Sequence, residues 1–196
     1  MMRLVSRRML MAASMIVVGA CARSPRSEFY TLSAEPMDRL VAAAAPAAIV
    51  IDTVTVPDLV DRPQLVLRVS QSQVRIDEFA RWAEPLKNQI AGVLAANLGE
   101  LFPDAVVFGF PQSAGKPAVR LSVNVQVFDS SAGEGTQMVA LWSIRYPGVT
   151  GATDGKIALH EQVSGPGYDA LVDAHSRALA MLSREISQAI ISGTKK

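Results

Sequence analysis

The sequence predicts an α/β fold of the two-layer α+β kind: an antiparallel-rich mixed sheet with two long helices packed on one face. Three observations predict it. The segments Leu86 to Leu101 and Tyr168 to Ser192 repeat apolar residues at the helical period of about 3.6. Between them, Ala118 to Phe128 alternates apolar and polar residues, and a Gly-rich turn leads into a second apolar segment running back. The order is then a few strands, a helix, a meander of three or four strands and a helix, which a sheet covered on one face by two helices satisfies most simply.

The first segment is not part of that domain. Arg3, Arg7 and Arg8 precede the uncharged run Met9 to Gly19, a basic region followed by an apolar core of signal-peptide length. That run is short for a permanent membrane span. Val18-Gly19-Ala20-Cys21 resembles the bacterial lipobox, an aliphatic residue and two small residues before cysteine. The resemblance implies cleavage before Cys21, a diacylglycerol on its sulfur and an acylated amine. Several acyl chains anchor stably, because each buried methylene contributes about 0.8 kcal/mol and one chain alone is marginal. An ordinary secretory signal beside a free cysteine and a short N-terminal membrane anchor are the plainer alternatives. Ser6-Arg7-Arg8-Met9-Leu10 is a partial match to a twin-arginine export signal. Ala22 follows the cysteine where the known inner-membrane retention signal has aspartate, so by that resemblance the anchor goes to the outer membrane, on its periplasmic face. The expected division is 1–20 signal peptide, 21–27 lipidated tether and 28–193 periplasmic domain.

Glu28 to Leu32 reads as a short strand from its aromatic and β-branched content. Residues 33–46 read as a connection with a helical turn at Met37 to Ala44. Ala48 to Val56 is a strand, nearly two-sided in its apolar pattern at the start. Pro57 to Pro63 must leave the sheet, since two prolines remove ladder donors. Gln64 to Val69 and Gln73 to Asp77 read as short strands. Pro85 suits the first helical position, where no N–H is needed. Leu86, Ile90, Val93, Leu94, Asn97, Leu98 and Leu101 form the stripe of that helix, with Lys87, Gln89 and Glu100 off it. Ala105 to Phe110 is a short strand. Val119, Leu121, Val123, Val125 and Val127 make one face of the next, Asp129 to Gly135 is a turn, and Gln137 to Tyr146 and Lys156 to Val163 continue the meander. Gly193 sits where the last helix stops.

Composition excludes several classes. The 196 residues carry a formal net charge of +1 with no basic cluster, which argues against nucleic-acid binding. One cysteine forbids an intramolecular disulfide, and no Cys/His set has zinc spacing. No cofactor or metal is expected. Neither histidine, His160 in a strand or His175 at the edge of a helix stripe, stands near a serine on a sharp glycine turn. Asp52, Asp58, Asp61, Glu78 and Glu84 are scattered acids with nothing to select a catalytic pair. The chain is read as no enzyme.

Three segments together resemble a known family. They are Pro57 to Arg68 (PDLVDRPQLVLR), Phe79 to Leu86 (FARWAEPL) and Met138 to Trp142 (MVALW). The family is the ABC-type transport auxiliary lipoprotein components, similar to the paraquat-inducible lipoprotein. Met138 departs from its usual leucine, a volume-conserving change. The resemblance implies a non-enzymatic periplasmic lipoprotein at the outer membrane, anchored by acyl chains such as palmitate on Cys21. Its expected partners are ABC-type or MCE-domain (mammalian cell entry) subunits of a system that moves lipids or apolar solutes between membranes. By analogy with MCE rings, a homo-oligomer is a further expectation. Trp82 and the Asp61-Arg62-Pro63 corner read first as structural, a plug and a rigid turn. The functional alternative places Arg62, Arg68, Arg81 and Trp82 on a partner-facing surface, since Trp and Arg are enriched at binding hot spots. A different class of function, a standalone lipid- or ligand-binding envelope lipoprotein, needs an apolar pocket between helices and sheet.

Overall fold

The computed structural model describes residues 26–40, 45–110 and 117–193. The signal segment, Cys21 and most of the tether lie outside the described residues. In chain order the elements are β1 (Glu28–Tyr30), β2 (Ala48–Thr55), β3 (Gln64–Arg68), β4 (Val74–Trp82), α1 (Leu86–Leu101), β5 (Val106–Phe108), β6 (Val119–Ser131), β7 (Gly135–Arg145), β8 (Thr153–Glu161) and α2 (Gly167–Gly193). All eight strands form one sheet. β6 is its spine: β7 runs antiparallel along one edge from Arg120 to Ser131, while β2 and β3 share the other. β8 lies outside β7, β5 outside β2, and β4 then β1 outside β3. The long ladders β3/β4, β6/β7 and β7/β8 are antiparallel, and β1/β4, β2/β5 and β2/β6 are parallel.

Alternation turns one face of this sheet to the helices. Leu121, Val123, Met138, Ala140 and Ile144 are buried together with Ile90, Leu94 and Leu98 of α1 and Leu179, Leu182, Ile186 and Ile190 of α2. Each large side chain buried this way contributes roughly 1.5–3 kcal/mol against an exposed one. The opposite face is polar, and there Asp52 is paired with both Arg120 and Arg145. The first four residues of β2 are all buried, as the two-sided pattern of their side chains requires.

The structure differs from the sequence reading in six places. Residues 37–40 are not helical, and the rest of the expected turn, 41–44, lies outside the described residues. Residues 32–40 instead strap the helices: Leu32 N–H donates to Gln89 Oε1 (2.8 Å), Ser33 N–H to Ser176 Oγ (3.1 Å), Glu35 N–H to Asn97 Oδ1 (3.2 Å) and Leu40 N–H to the Leu101 carbonyl (3.1 Å). Gln89, expected off the apolar stripe, is therefore buried, because a strand-less backbone must find its acceptors on the helices it crosses. Pro85 caps α1 one residue before the first helical position.

Nor does β4 stop at Asp77. An irregularity there, where the Asp77 carboxylate accepts the Phe79 and Ala80 N–H groups, lets the strand resume and pair with β1. β6 carries a bulge between Val125 and Val127, which moves Val127 off the buried face and brings Phe128 and Ser130 onto it. The strand then runs on to Ser131, through residues that composition assigns to a turn. The turn itself is Ala132 to Glu134, and Gly135, at φ +122°, lies where a Cβ would overlap the Glu161 carbonyl.

Candidate functional site

The segments 57–64 and 81–87, remote in sequence, meet at the junction of β4 and α1. Pro57 to Arg62 coils back on itself, with Val60 and Asp61 N–H groups both donating to the Pro57 carbonyl (3.0 and 3.1 Å) and Val60 buried beneath. Pro63 lacks an N–H but offers its carbonyl, which accepts the Trp82 N–H at 2.7 Å; the next N–H, of Ala83, goes to the Tyr30 carbonyl at 2.9 Å. Two short hydrogen bonds thus lock the proline corner and β1 to the end of β4. Pro85 then starts α1, and the Gln89 amide reaches back to the Glu84 carbonyl (3.0 Å).

These contacts leave an open cleft of about 510 Å³ lined by Asp61, Arg62, Pro63, Trp82, Ala83, Glu84, Pro85 and Lys87. Trp82 is its floor: only 7 % exposed, it packs edge-on against Phe128 of β6 at 6.3 Å. Lys87 and Asp61 form an exposed ion pair at 3.4 Å, which contributes little to stability. Lys87 is off the apolar stripe of α1, and its place directly after WAEPL was the signal that it lines the same cleft. Arg62 is the odd member. Its Nε is buried and has no hydrogen-bond partner among the described residues, although two carboxylates, Asp61 and Glu84, line the same cleft. Leaving a buried donor unpaired costs about 1–3 kcal/mol, more for a charged group.

The four residues of the expected partner surface fall in three places. Arg62 and Trp82 share the cleft. Arg81 stands between the buried Ala80 and Trp82 and so points to the other face of β4. Arg68 is at the far end of β3, where its Nε and Nη2 both engage the Asp129 carboxylate (2.7 and 3.0 Å), tying β3 to β6; this bond raises its already high pKa. Among the remaining candidates, His160 is exposed on β8, while His175 is fully buried, with Nε2 at 2.9 Å from Ser130 Oγ and its ring stacked on Phe128. No group of three or more His, Cys, Asp or Glu able to hold a metal occurs among the described residues, and no described helix is long and apolar enough to cross a membrane.

A family model described as ABC-type transport auxiliary lipoprotein component matches residues 30–187. No curated protein matches the chain. Two solved structures share its fold. One, an uncharacterized protein, is 24% identical, with a TM-score of 0.70 over 85% of this chain and 99% of its own. The other, protein XCC0632 from Xanthomonas campestris, is 12% identical, with a TM-score of 0.69 over 86% of this chain and 98% of its own. The match spans both motif segments that build the cleft, the strap, strands β2 to β8 and the last helix as far as Ser187, and it shows that this chain belongs to the family of ABC-type transport auxiliary lipoprotein components.

Proposed function

We propose that the chain is a non-enzymatic accessory component of an ABC-type, MCE-domain intermembrane transport system for lipids or other apolar solutes. Acyl chains on Cys21 hold it at the periplasmic face of the outer membrane, and a transporter subunit docks in the cleft around Arg62. The observation that carries this reading is the unpaired buried Nε of Arg62 in a cleft lined by two motif segments of the family. A carboxylate or backbone carbonyl of the partner would pair with the guanidinium, the Nε coming within reach as the side chain turns into the cleft. Trp82 gives the cleft a rigid floor, and Pro63 and Pro85 give it walls that lose little entropy on binding.

The test is a crosslinking pulldown from envelopes with the tagged full-length chain, compared with Cys21→Ala and Arg62→Ala variants. An MCE-domain or ABC-type subunit should be recovered with the parent, weakened when Cys21 is lost and lost with Arg62→Ala. Arg62→Ala should not lower the parent's thermal midpoint, because it removes a donor whose unpaired burial costs stability and no side-chain hydrogen bond among the described residues. Abundant chain with no such subunit in any sample refutes the docking role. A second reading has its own observation: a cleft of about 550 Å³ at the start of α2, lined by Leu67, Val163, Pro166, Tyr168 and Leu171 with Arg75 and Asp77. Stoichiometric lipid co-purifying with the parent, and no transporter subunit, would favour a standalone lipid carrier.

A further inference from the structure

The edge of the sheet formed by β1 and β4 leaves two phenylalanines exposed. Phe29 is 65 % exposed and is the register partner of Arg81, which the buried Ala80 and Trp82 turn outward. Phe79, two residues before Arg81, is 43 % exposed, and Ile76 follows at 38 %, opposite Val66 of β3. Large exposed apolar side chains gathered in one place mark a contact surface. Beyond β1 the sheet has no further strand among the described residues.

Two facts favour a bilayer as the occupant. Phe29 follows Cys21 by eight residues, and at about 3.3–3.6 Å per residue the chain can carry it no more than roughly 30 Å from an anchored sulfur. The patch is also small. Two half-exposed rings and an isoleucine offer on the order of 200–300 Å², well under the roughly 800 Å² per partner of a stable dimer. A weak surface suffices when a tether already holds it close, because the tether supplies an effective concentration in the millimolar range. We propose that Phe29 and Phe79, flanking Arg81, rest in the interfacial region of the membrane that holds Cys21, and so fix which way the domain faces. This inference rests on the lipid anchor of the proposed function. Arg26 and Arg81 are offset by Glu28 and Glu78, which hydrogen-bond Tyr30 and Gln64, so the contact is apolar and needs no anionic lipid.

The test uses the mature lipidated protein reconstituted into phosphatidylcholine vesicles with brominated acyl chains. Phe29→Trp and, separately, Phe79→Trp report on the patch; the native Trp82 and Trp142 are buried and set the baseline. Each variant should show blue-shifted emission and loss of intensity beyond the parent's, unchanged by high salt. Acylated Cys21 with no added quenching in either variant overturns the membrane contact and leaves the anchor standing. Unmodified Cys21, read by mass on the same sample, overturns both. A blue shift in detergent that grows with protein concentration, without quenching by lipid bromine, assigns the patch to a second copy of the chain instead.

Discussion

Trp142→Ala should lower folding stability by about 3–5 kcal/mol, the range for deleting a large buried aromatic. The indole, 7 % exposed, lies on the helix-facing side of β7, and its Nε1–H donates to Glu185 of α2 at 2.9 Å. Its register partner on β8 is Gly155, whose missing side chain makes room for the ring: a Cβ there would overlap the indole carbons. Gly155→Ala should therefore also destabilise, by about 1–3 kcal/mol through overpacking. The two effects share one cause. In a Trp142→Ala background Gly155→Ala should be nearly neutral, and Trp142→Phe should fall between the parent and Trp142→Ala, losing the Glu185 bond, about 1 kcal/mol, and the part of the ring that covers Gly155. Urea unfolding of the four-variant cycle measures this. An equal cost for Gly155→Ala with and without the indole would mean the ring does not occupy the space above the glycine. The reason for tryptophan in the MVALW segment is thus packing across the β7–β8–α2 layer, away from the cleft.

Periodicity made α1, α2 and the β6–β7 hairpin legible, because one-sided burial writes its period directly into the side chains. It failed where backbone or polar partners decide. The parallel pairings of β1 with β4 and of β2 with β6 join segments tens of residues apart, and no local pattern records them. The Val125–Val127 bulge changes which residues face inward without changing composition. Gln89 and Asn97 look like polar interruptions of a helix until the strap of residues 32–40 is seen to need their carbonyl oxygens. Asp129 and Ser130 read as turn residues, yet Arg68 and His175 hold them in strand. The motif segments around Arg62 and Trp82 were recognisable as segments, but their meeting in one cleft depends on the Pro63 to Trp82 hydrogen bond, and the same geometry removes Arg68 to the other end of β3 and Arg81 to the other face.

His175 should make the protein lose stability as pH falls from about 6.5 toward 3. The ring is wholly buried between α2 and β6, flat against Phe128 at 3.7 Å; among the described residues Ser130 is its one hydrogen-bond partner and Nδ1 has none. An imidazolium has two N–H donors and a charge, and this site can satisfy neither in full. Burial accordingly pushes the pKa down from 6.5 to about 3. The unfolded chain takes up a proton below about pH 6.5 while the folded one does not, so the unfolded state binds more protons and stability rises with pH across that window. The full contribution is present above 6.5 and is lost on acidification, at up to about 1.4 kcal/mol per pH unit, or on the order of 2–3 kcal/mol by pH 4.5. Asp77 acts in a different window. A hydrogen bond from Tyr168, then one from the Phe79 N–H, hold its pKa below the ordinary 3.8, so its contribution is lost only at pH values under that. Urea midpoints at pH 7 and 4.5 separate them. His175→Leu should flatten the upper window, at some cost in stability at pH 7 from the unpartnered Ser130 hydroxyl. An unchanged slope in His175→Leu would place the acid sensitivity in the carboxylates and make the buried imidazole a bystander.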